Sequence, residues 1–181
     1  MALTLLTGGA RSGKSALATR LAEAWTGGVT FVATGEALDD EMRERIERHR
    51  KARPDAWETI EEPVELDAAL GAAPSGDLVI VDCLTLWVSN LFQHGCGLSE
   101  IEERGGSAAS IASSRPGPTI VVTNEVGSGI VPADPSTRAY REALGTINML
   151  FARHAVRAFL VVAGRVLPLA GDREVIDDVF R

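Results

Sequence analysis

Short apolar runs recur along the chain and predict β-strands. The run at residues 78–82, Leu-Val-Ile-Val-Asp, is apolar almost throughout, which is typical of a strand that helices cover on both faces. Because runs of this length and composition are too short for core helices, they are assigned as strands. The predicted strands are residues 3–7, 29–33, 78–82, 119–123 and 158–163.

Helical periodicity fills most of the intervals between these runs. After the first strand, apolar side chains recur at Leu17, Leu21, Ala24 and Trp25, with the spacing of a helix. Further helices are predicted at residues 39–53, 84–93 and 136–155. Residues 95–118 contain Gly-Gly-Ser and Ser-Ser-Arg-Pro-Gly-Pro, so we predict an irregular or mobile connection there.

Strands that alternate with helices imply βαβ units. We therefore predict an α/β fold, a mostly parallel sheet with helices on both faces, formed by residues 1–181 as a single domain. On such sheets, ligands bind at the carboxyl ends of the strands. Candidate chemistry is therefore sought in the residues that directly follow each strand.

The composition narrows the class of protein. Of 181 residues, 45% are hydrophobic and 24% charged, and the formal net charge is −7. An acidic chain lacks the excess of Lys and Arg that general nucleic-acid binding requires. No apolar stretch is long enough to cross a membrane, and the N-terminus lacks the basic segment of a signal peptide. We expect a soluble, cytoplasmic protein with no nucleic-acid partner and no membrane span. Two cysteines, Cys83 and Cys96, are too few for a disulfide framework, and Cys83, which lies in an apolar run, is expected to be a buried free thiol.

The first strand runs into the pattern Gly-x-x-x-x-Gly-Lys-Ser, which is typical of a P-loop. Glycines let the backbone curl so that amide groups point at phosphate oxygens, and the following helix adds its positive N-terminal end. Lys14 would neutralise the β- and γ-phosphates, and Ser15 would bind Mg²⁺. The alternative is a glycine-rich turn that carries Lys-Ser by chance. The predicted phosphate site comprises Gly8, Gly9, Ala10, Arg11, Ser12, Gly13, Lys14 and Ser15.

Acidic residues follow two of the other strands. Asp82 ends the run at residues 78–82 and is predicted to hold Mg²⁺ opposite Ser15. Its alternative role is to cap the helix that begins near Leu84. Glu125 follows the fourth strand and either faces the same site or serves as a turn residue before Gly127.

Several P-loop classes do not fit the chain. No Asn-Lys-x-Asp motif for reading a guanine base is present, which disfavours a signalling GTPase. A DNA-dependent motor would be longer and would carry a basic face. A small-molecule kinase or a nucleotidyltransferase fits the length better.

The helix at residues 39–53 has acidic residues in its first turn and basic residues in its last, as the helix dipole favours. Met42, Ile46, His49 and Arg53 share one face, so a histidine and an arginine are predicted on the inward side. The basic cluster around His49 would suit a triphosphate or a phosphorylated substrate. The alternative is a solvated basic helix end with a half-buried histidine. The cluster comprises Arg48, Arg50, Lys51 and Arg53.

Together these motifs resemble the bifunctional adenosylcobinamide kinase/adenosylcobinamide-phosphate guanylyltransferases of cobalamin biosynthesis. The resemblance covers nearly the whole chain, apart from Met149 in place of the usual Gln and the Gly/Ser-rich segment at residues 99–115. The P-loop itself is generic, whereas the helix with His49 and the run Thr-Asn-Glu-Val-Gly-Ser-Gly are specific. The matching residues are 7–15, 39–42, 45–46, 49–50, 53–54, 57, 82–91, 123–132, 138, 140–141, 144–145, 148 and 161–164.

The resemblance implies a P-loop NTPase of RecA-like fold in which one site performs two reactions. A nucleoside triphosphate, ATP or GTP, phosphorylates adenosylcobinamide; GMP from GTP is then carried on His49 to adenosylcobinamide-phosphate. Lys14 is implied as the second catalytic residue, Mg²⁺ on Ser15 and Asp82 as the metal, and a homotrimer as the assembly. The implied GTP contacts beyond the P-loop are Ala33, Thr34, Gly35, Arg50, Lys51, Ala52, Arg53, Glu61 and Asp82.

Two other functions stay open. In one, the protein is a single-activity P-loop kinase and His49 is structural. In the other, it is a nucleotide-gated binding or regulatory module of RecA-like type.

Overall fold

A single seven-stranded sheet forms the centre of the protein, in the order β3-β2-β4-β5-β1-β6-β7. The structure, a computed structural model, describes residues 3–51 and 53–179. Neighbouring strands are parallel except for the hairpin of β6 and β7, which is antiparallel. The strands are β1 (Leu3–Thr7), β2 (Val29–Ala33), β3 (Glu58–Glu61), β4 (Leu78–Asp82), β5 (Thr119–Val122), β6 (Arg157–Val162) and β7 (Arg165–Leu169).

Helices connect the strands and cover the sheet on both faces, as the sequence predicts. Val79 and Val81 of β4 pack into the larger core with the helices after β3, β4 and β5. Leu78 and Ile80 point to the other face and pack with the first helix. The helices are α1 (Lys14–Glu23), α2 (Asp40–Lys51), α3 (Leu66–Ala72), α4 (Leu84–Gln93), α5 (Leu98–Ser114), α6 (Pro135–His154) and α7 (Asp172–Val179).

The prediction of an irregular connection at residues 95–118 is wrong, because residues 98–114 form α5. The glycine that suggested a break lies where α5 packs against α6. A Cβ on Gly105 would lie 2.2 Å from Cδ1 of Ile147, so any larger residue would force the Ile147 side chain or the two helices to move. Ala108, Ala109 and Ala112 continue the same small, buried face.

Four shorter elements were not predicted. The edge strand β3 reads Glu-Thr-Ile-Glu, and β7 contains Pro168, a residue that sheets tolerate mainly at their edges. α3 is only seven residues long. α7 buries no residue.

β7 is the edge strand at the opposite side of the sheet from β3. Val166, Leu167 and Leu169 of β7 are each more than two-fifths exposed, and so are Val175 and Ile176 of α7. Within the described residues, no helix is both long and apolar enough to cross a bilayer.

Candidate active site

The loop between β1 and α1 has the backbone geometry that a phosphate cradle needs. Gly8 has φ +149° and Gly13 has φ +104°, a region that L side chains rarely adopt. A Cβ on Gly8 would also lie 2.2 Å from the carbonyl oxygen of Val161. Both glycines of the motif are therefore required by the fold of the loop itself.

Lys14 begins α1 and points back into this loop. Its Nζ donates hydrogen bonds to the carbonyl oxygens of Gly8 at 2.9 Å and Gly9 at 2.7 Å, and to Oγ of Ser12 at 3.4 Å. Burial lowers the pKa of this ammonium, while the charges of Cys83 and Asp82 act in the opposite direction. The loop thus holds a buried cation beside the carboxyl end of β4.

The C-terminal part of α2 lies over the carboxyl ends of β2 and β4. The helix begins where the side chain of Asp39 accepts a hydrogen bond from the Met42 amide at 2.7 Å. Met42 and Ile46 are half-buried. A Cβ on Gly35 would lie 3.3 Å from Cδ1 of Ile46, so the glycine after β2 permits the helix to lie this close.

Two neighbouring cavities open between α2 and the sheet. We call one the α2 cavity; besides the residues it shares with the other, its lining includes Ala33, Gly35, Ile46, Glu61, Cys83 and Leu86. We call the other the α1 cavity; besides the shared residues, it is lined by Ala16, Thr19, Phe31 and Arg48. Four residues line both of them: Ser15, His49, Arg53 and Asp82.

The four shared residues come from three separate parts of the sequence. The P-loop helix supplies Ser15, β4 supplies Asp82, and α2 with its following turn supplies His49 and Arg53. The shared face of Met42, Ile46, His49 and Arg53 is confirmed, since all four line the α2 cavity. α2 ends at Lys51 and not at residue 53 as predicted. His49 is exposed although it lines both cavities, so it is not the half-buried histidine of the alternative interpretation.

Arg53 reaches the site through a turn after α2, in which its amide donates to the Arg50 carbonyl at 3.2 Å. Its guanidinium lies over Phe31, and its Nε is buried without a hydrogen-bond partner. Burial lowers the pKa of this guanidinium; the charges of Asp82 and Glu61 oppose that effect, and the charge of Arg50 adds to it.

The remaining predicted contacts lie around the α2 cavity or beside it. Thr34 is buried, and its amide donates to the Asp82 carbonyl at 3.3 Å. Arg50 lies 3.6 Å from the exposed Glu61 carboxylate. Lys51 is exposed at the end of α2, and Ala52 lies outside the described residues.

Ser15 and Asp82 offer a hydroxyl and a carboxylate oxygen to the same two cavities. Mg²⁺ prefers such oxygens and commonly takes one or two protein ligands together with phosphate oxygens and water. Among the described residues, no cluster of three or more His, Cys, Asp or Glu residues could hold a metal. The donor set therefore fits a magnesium ion carried in with a nucleotide.

A family model described as "Cobinamide kinase / cobinamide phosphate guanyltransferase" matches residues 4–169. The chain belongs to this family. It is 40% identical over 169 residues to the "Bifunctional adenosylcobalamin biosynthesis protein CobP" of Pseudomonas aeruginosa, covering 93% of this chain and 97% of that protein. It is 38% identical over 179 residues to the "Bifunctional adenosylcobalamin biosynthesis protein CobU" of Escherichia coli, covering 90% and 96%.

Solved structures confirm the predicted α/β fold of this family member. One of them, an ATPase domain, is 11% identical with a TM-score of 0.51, covering 88% of this chain and 68% of that one. The flagellar accessory protein FlaH from Methanocaldococcus jannaschii is 14% identical with the same TM-score of 0.51, covering 91% and 74%. At these identities the likeness concerns the fold alone.

Glu125 lies outside both cavities of this kinase/guanyltransferase family member. Its amide donates to the Gly8 carbonyl at 3.2 Å, and its carboxylate accepts from the Gly127 amide. Of the two roles left open by the sequence, the structure favours the turn residue. His94 and His154 are exposed and also lie outside the two cavities.

Several lining residues carried no sequence signal. Cys83 follows Asp82 and lines the α2 cavity; burial raises the pKa of its thiol to about 11, and the Asp82 charge acts in the same direction. In the sequence, Leu86 and Phe31 are indistinguishable from ordinary core residues. Leu86 lies in the first turn of α4 and Phe31 in the middle of β2, and their place beside the two cavities became visible only in the folded structure.

Proposed function

We propose that this enzyme phosphorylates adenosylcobinamide with ATP or GTP and then transfers GMP from GTP to the product through a covalent intermediate on His49. One observation carries the proposal: His49 lines the same two cavities as the P-loop serine and Asp82. A histidine in that position can reach a phosphate chain held by the loop. Family membership supplies the two reaction classes.

Formation of the covalent intermediate requires a neutral imidazole with a ring nitrogen free to attack the α-phosphorus of GTP. Within the described part of the chain, no hydrogen bond or ion pair engages the ring of His49, in contrast to His94, which lies 3.5 Å from Glu36. A ring nitrogen of His49 forms a bond to the α-phosphorus of GTP, and the bond from that phosphorus to the bridging oxygen breaks, releasing pyrophosphate. A phosphate oxygen of adenosylcobinamide-phosphate then attacks the same phosphorus, and the N–P bond breaks to regenerate the imidazole.

Positive charge near His49 supports the transfer of a phosphate group. Arg53 lines both cavities, and Arg48 lines the α1 cavity. Lys14 and the amides of residues 8–15 would bind the phosphate chain in both reactions. Ser15 and Asp82 would hold Mg²⁺, which when bound neutralises charge on the phosphate oxygens.

Recognition of the guanine base is assigned to the α2 cavity. Ala33 and Gly35 give it an apolar side, and Glu61 gives it a carboxylate. A carboxylate accepts hydrogen bonds from N1–H and the 2-amino group of guanine, and adenine offers neither group. Contacts from Thr34 and from residues 50–53 complete the proposed nucleotide site.

We also propose a homotrimer in the cytoplasm in which residues 1–181 act as one domain. The large apolar side chains exposed on β7 and α7 support an interface between copies, since apolar surface that a monomer leaves exposed can be covered by association. The two unpaired cysteines fit a reducing compartment. Light scattering coupled to size-exclusion chromatography tests the trimer.

Labelled GTP tests the covalent transfer. With label in the α-phosphate, the protein should retain radioactivity after denaturation, and the adduct should be labile in acid and stable in alkali. With label in the γ-phosphate, it should retain none. A kinase with a structural His49 would retain neither label while still phosphorylating adenosylcobinamide, and a binding module would catalyse neither reaction.

A further inference from the structure

Asn90 is a buried amide in the middle of α4. Its side chain lies among apolar neighbours of the larger core, and the residue is 3% exposed. Nδ2 donates one hydrogen bond to the Thr34 carbonyl at 2.7 Å and another to the Pro63 carbonyl at 3.0 Å. Both protons of the amide nitrogen are therefore used, and both are used on backbone.

The two carbonyls belong to the segments that follow β2 and β3. These strands pair up to Ala33 and Glu61, and the Glu62 amide donates to the Ala33 carbonyl at 3.0 Å. Beyond that bond the segments continue past the end of the strand pairing. Asn90 supplies the next link between them, directly beside the α2 cavity.

Two other groups of α4 and its N-cap hold the same segments. Nε1 of Trp87 donates to the Val64 carbonyl at 2.8 Å. The backbone of Cys83 both donates to and accepts from the Thr34 hydroxyl, at 2.8 Å in each case. α4 thus fixes the segment after β2 on one side and the segment after β3 on the other.

We infer that Asn90 is a positioning residue for guanine recognition. By binding Thr34 and Pro63 at once, it sets the separation between the apolar side of the α2 cavity and the Glu61 carboxylate. Asn90 itself is buried and does not line the cavity, so it acts through these segments and does not touch the nucleotide. This inference rests on the guanine site proposed above.

The test compares GTP with ITP, which lacks the 2-amino group of guanine. In Asn90→Ala, we expect the KM for GTP in guanylyl transfer to adenosylcobinamide-phosphate to rise on the order of ten-fold, as the loss of one well-placed hydrogen bond to a carboxylate implies. The KM for ITP should rise much less, so that the preference for GTP over ITP falls. The kcat for guanylyl transfer and the KM for ATP in the kinase reaction should change by less than a factor of about three.

Two further variants keep the result interpretable. Ser89→Ala changes the adjacent position of the same helix, where the hydroxyl accepts only a 3.4 Å bond from Gln93, and it should behave as the wild-type enzyme. Trp87→Phe keeps the aromatic ring but removes the bond to Val64. It should lower the GTP preference in the same direction as Asn90→Ala, and it answers the question if the alanine variant does not fold.

A purely structural role for Asn90 predicts a different pattern. In that case the GTP, ITP and ATP reactions would fall in parallel with the thermal stability, and the GTP preference would be unchanged; that outcome overturns the inference. If the wild-type enzyme does not prefer GTP over ITP, the guanine contact assigned to Glu61 fails as well. If the wild type has the preference and both Asn90→Ala and Trp87→Phe retain it, the inference about Asn90 fails alone.

Discussion

The guanidinium of Arg53 lies over the ring of Phe31, with Cζ 3.7 Å from the ring centroid. Phe31 is a core residue of β2 and is 5% exposed, whereas Arg53 comes from the turn after the largely exposed α2. The contact therefore joins a loosely packed, basic segment to the rigid sheet. It also directs a cation into both cavities beside Asp82.

This contact predicts that Phe31 contributes to nucleotide binding by orienting the Arg53 guanidinium. A cation–π contact of this kind contributes about 0.5–2 kcal/mol. We therefore expect Phe31→Leu to raise the KM for GTP by roughly three- to ten-fold, with a smaller change in kcat. The measurement is steady-state kinetics of guanylyl transfer to adenosylcobinamide-phosphate.

A double-mutant cycle with Arg53→Lys separates this effect from general loosening of the core. If Phe31 acts by orienting the guanidinium, the double variant should be little worse than Arg53→Lys alone. Additive losses in the two single variants would mean that Phe31 affects the site only through packing.

The buried ammonium of Lys14 is predicted to be required for both reactions, since both use the same phosphate cradle. Lys14→Ala should lower the kcat of the kinase and of the guanylyl transfer, each on the order of a hundred-fold or more. Arg20→Ala, which removes an exposed cation from the last turn of the same helix, is the matched control and should retain both activities. Loss of only one reaction in Lys14→Ala would mean that the two transfers use different phosphate sites.

The buried thiol of Cys83 makes stability fall in alkali. Because its pKa is raised to about 11 in the folded protein, from 9.0, the thiol stays protonated after the unfolded chain has lost its proton. The unfolded state therefore binds fewer protons above pH 9, and the free energy of unfolding should decrease between about pH 9 and pH 11. Burial raises the pKa of Tyr140 to about 12, which extends the decrease beyond that range.

Urea unfolding at several pH values checks this prediction. Cys83→Ala should flatten the decrease between about pH 9 and pH 11, leaving the part due to Tyr140. An identical pH dependence in the wild type and in Cys83→Ala would show that the thiol is not the group responsible.

The close approach of α5 and α6 predicts opposite effects at two adjacent glycines. Gly105→Ala would place a Cβ 2.2 Å from Ile147, so it should destabilise the protein by about 1–3 kcal/mol through overpacking. Gly106→Ala meets nothing within 4 Å and should stabilise by up to about 1 kcal/mol, as expected for an alanine in a helix. Urea unfolding of the two variants measures both, and equal effects would contradict the packing seen between the helices.

The same pair of helices shows why part of the fold was missed from the sequence. The sequence runs that form β1, β2, β4, β5 and β6 are short and mostly apolar, so their length and composition were enough to locate these strands. In α5 the glycines and serines have poor helix propensity, and it is contact with Ile147 and its neighbours that makes small residues favourable there. β3 is a polar edge strand, so burial left no pattern in its sequence.

The predicted site shows a similar division. The P-loop and Asp82 could be located because their chemistry is tied to the end of a strand. The face of α2 that carries His49 followed from helical spacing alone. The position of Arg53 over Phe31 and the bonds of Asn90 depend on how distant segments meet, although a lone amide within the apolar run 84–92 was a visible signal.

The assignment of His49 as the carrier of GMP is tested most directly by locating the modified residue. The protein is incubated with GTP, digested under alkaline conditions and analysed by tandem mass spectrometry. The spectra should show a GMP group on His49, in the peptide that contains residues 45–51. His94→Ala and His154→Ala should form the adduct, and His49→Ala should form none while still phosphorylating adenosylcobinamide. A GMP group on any other residue, or an adduct in His49→Ala, would contradict the assignment.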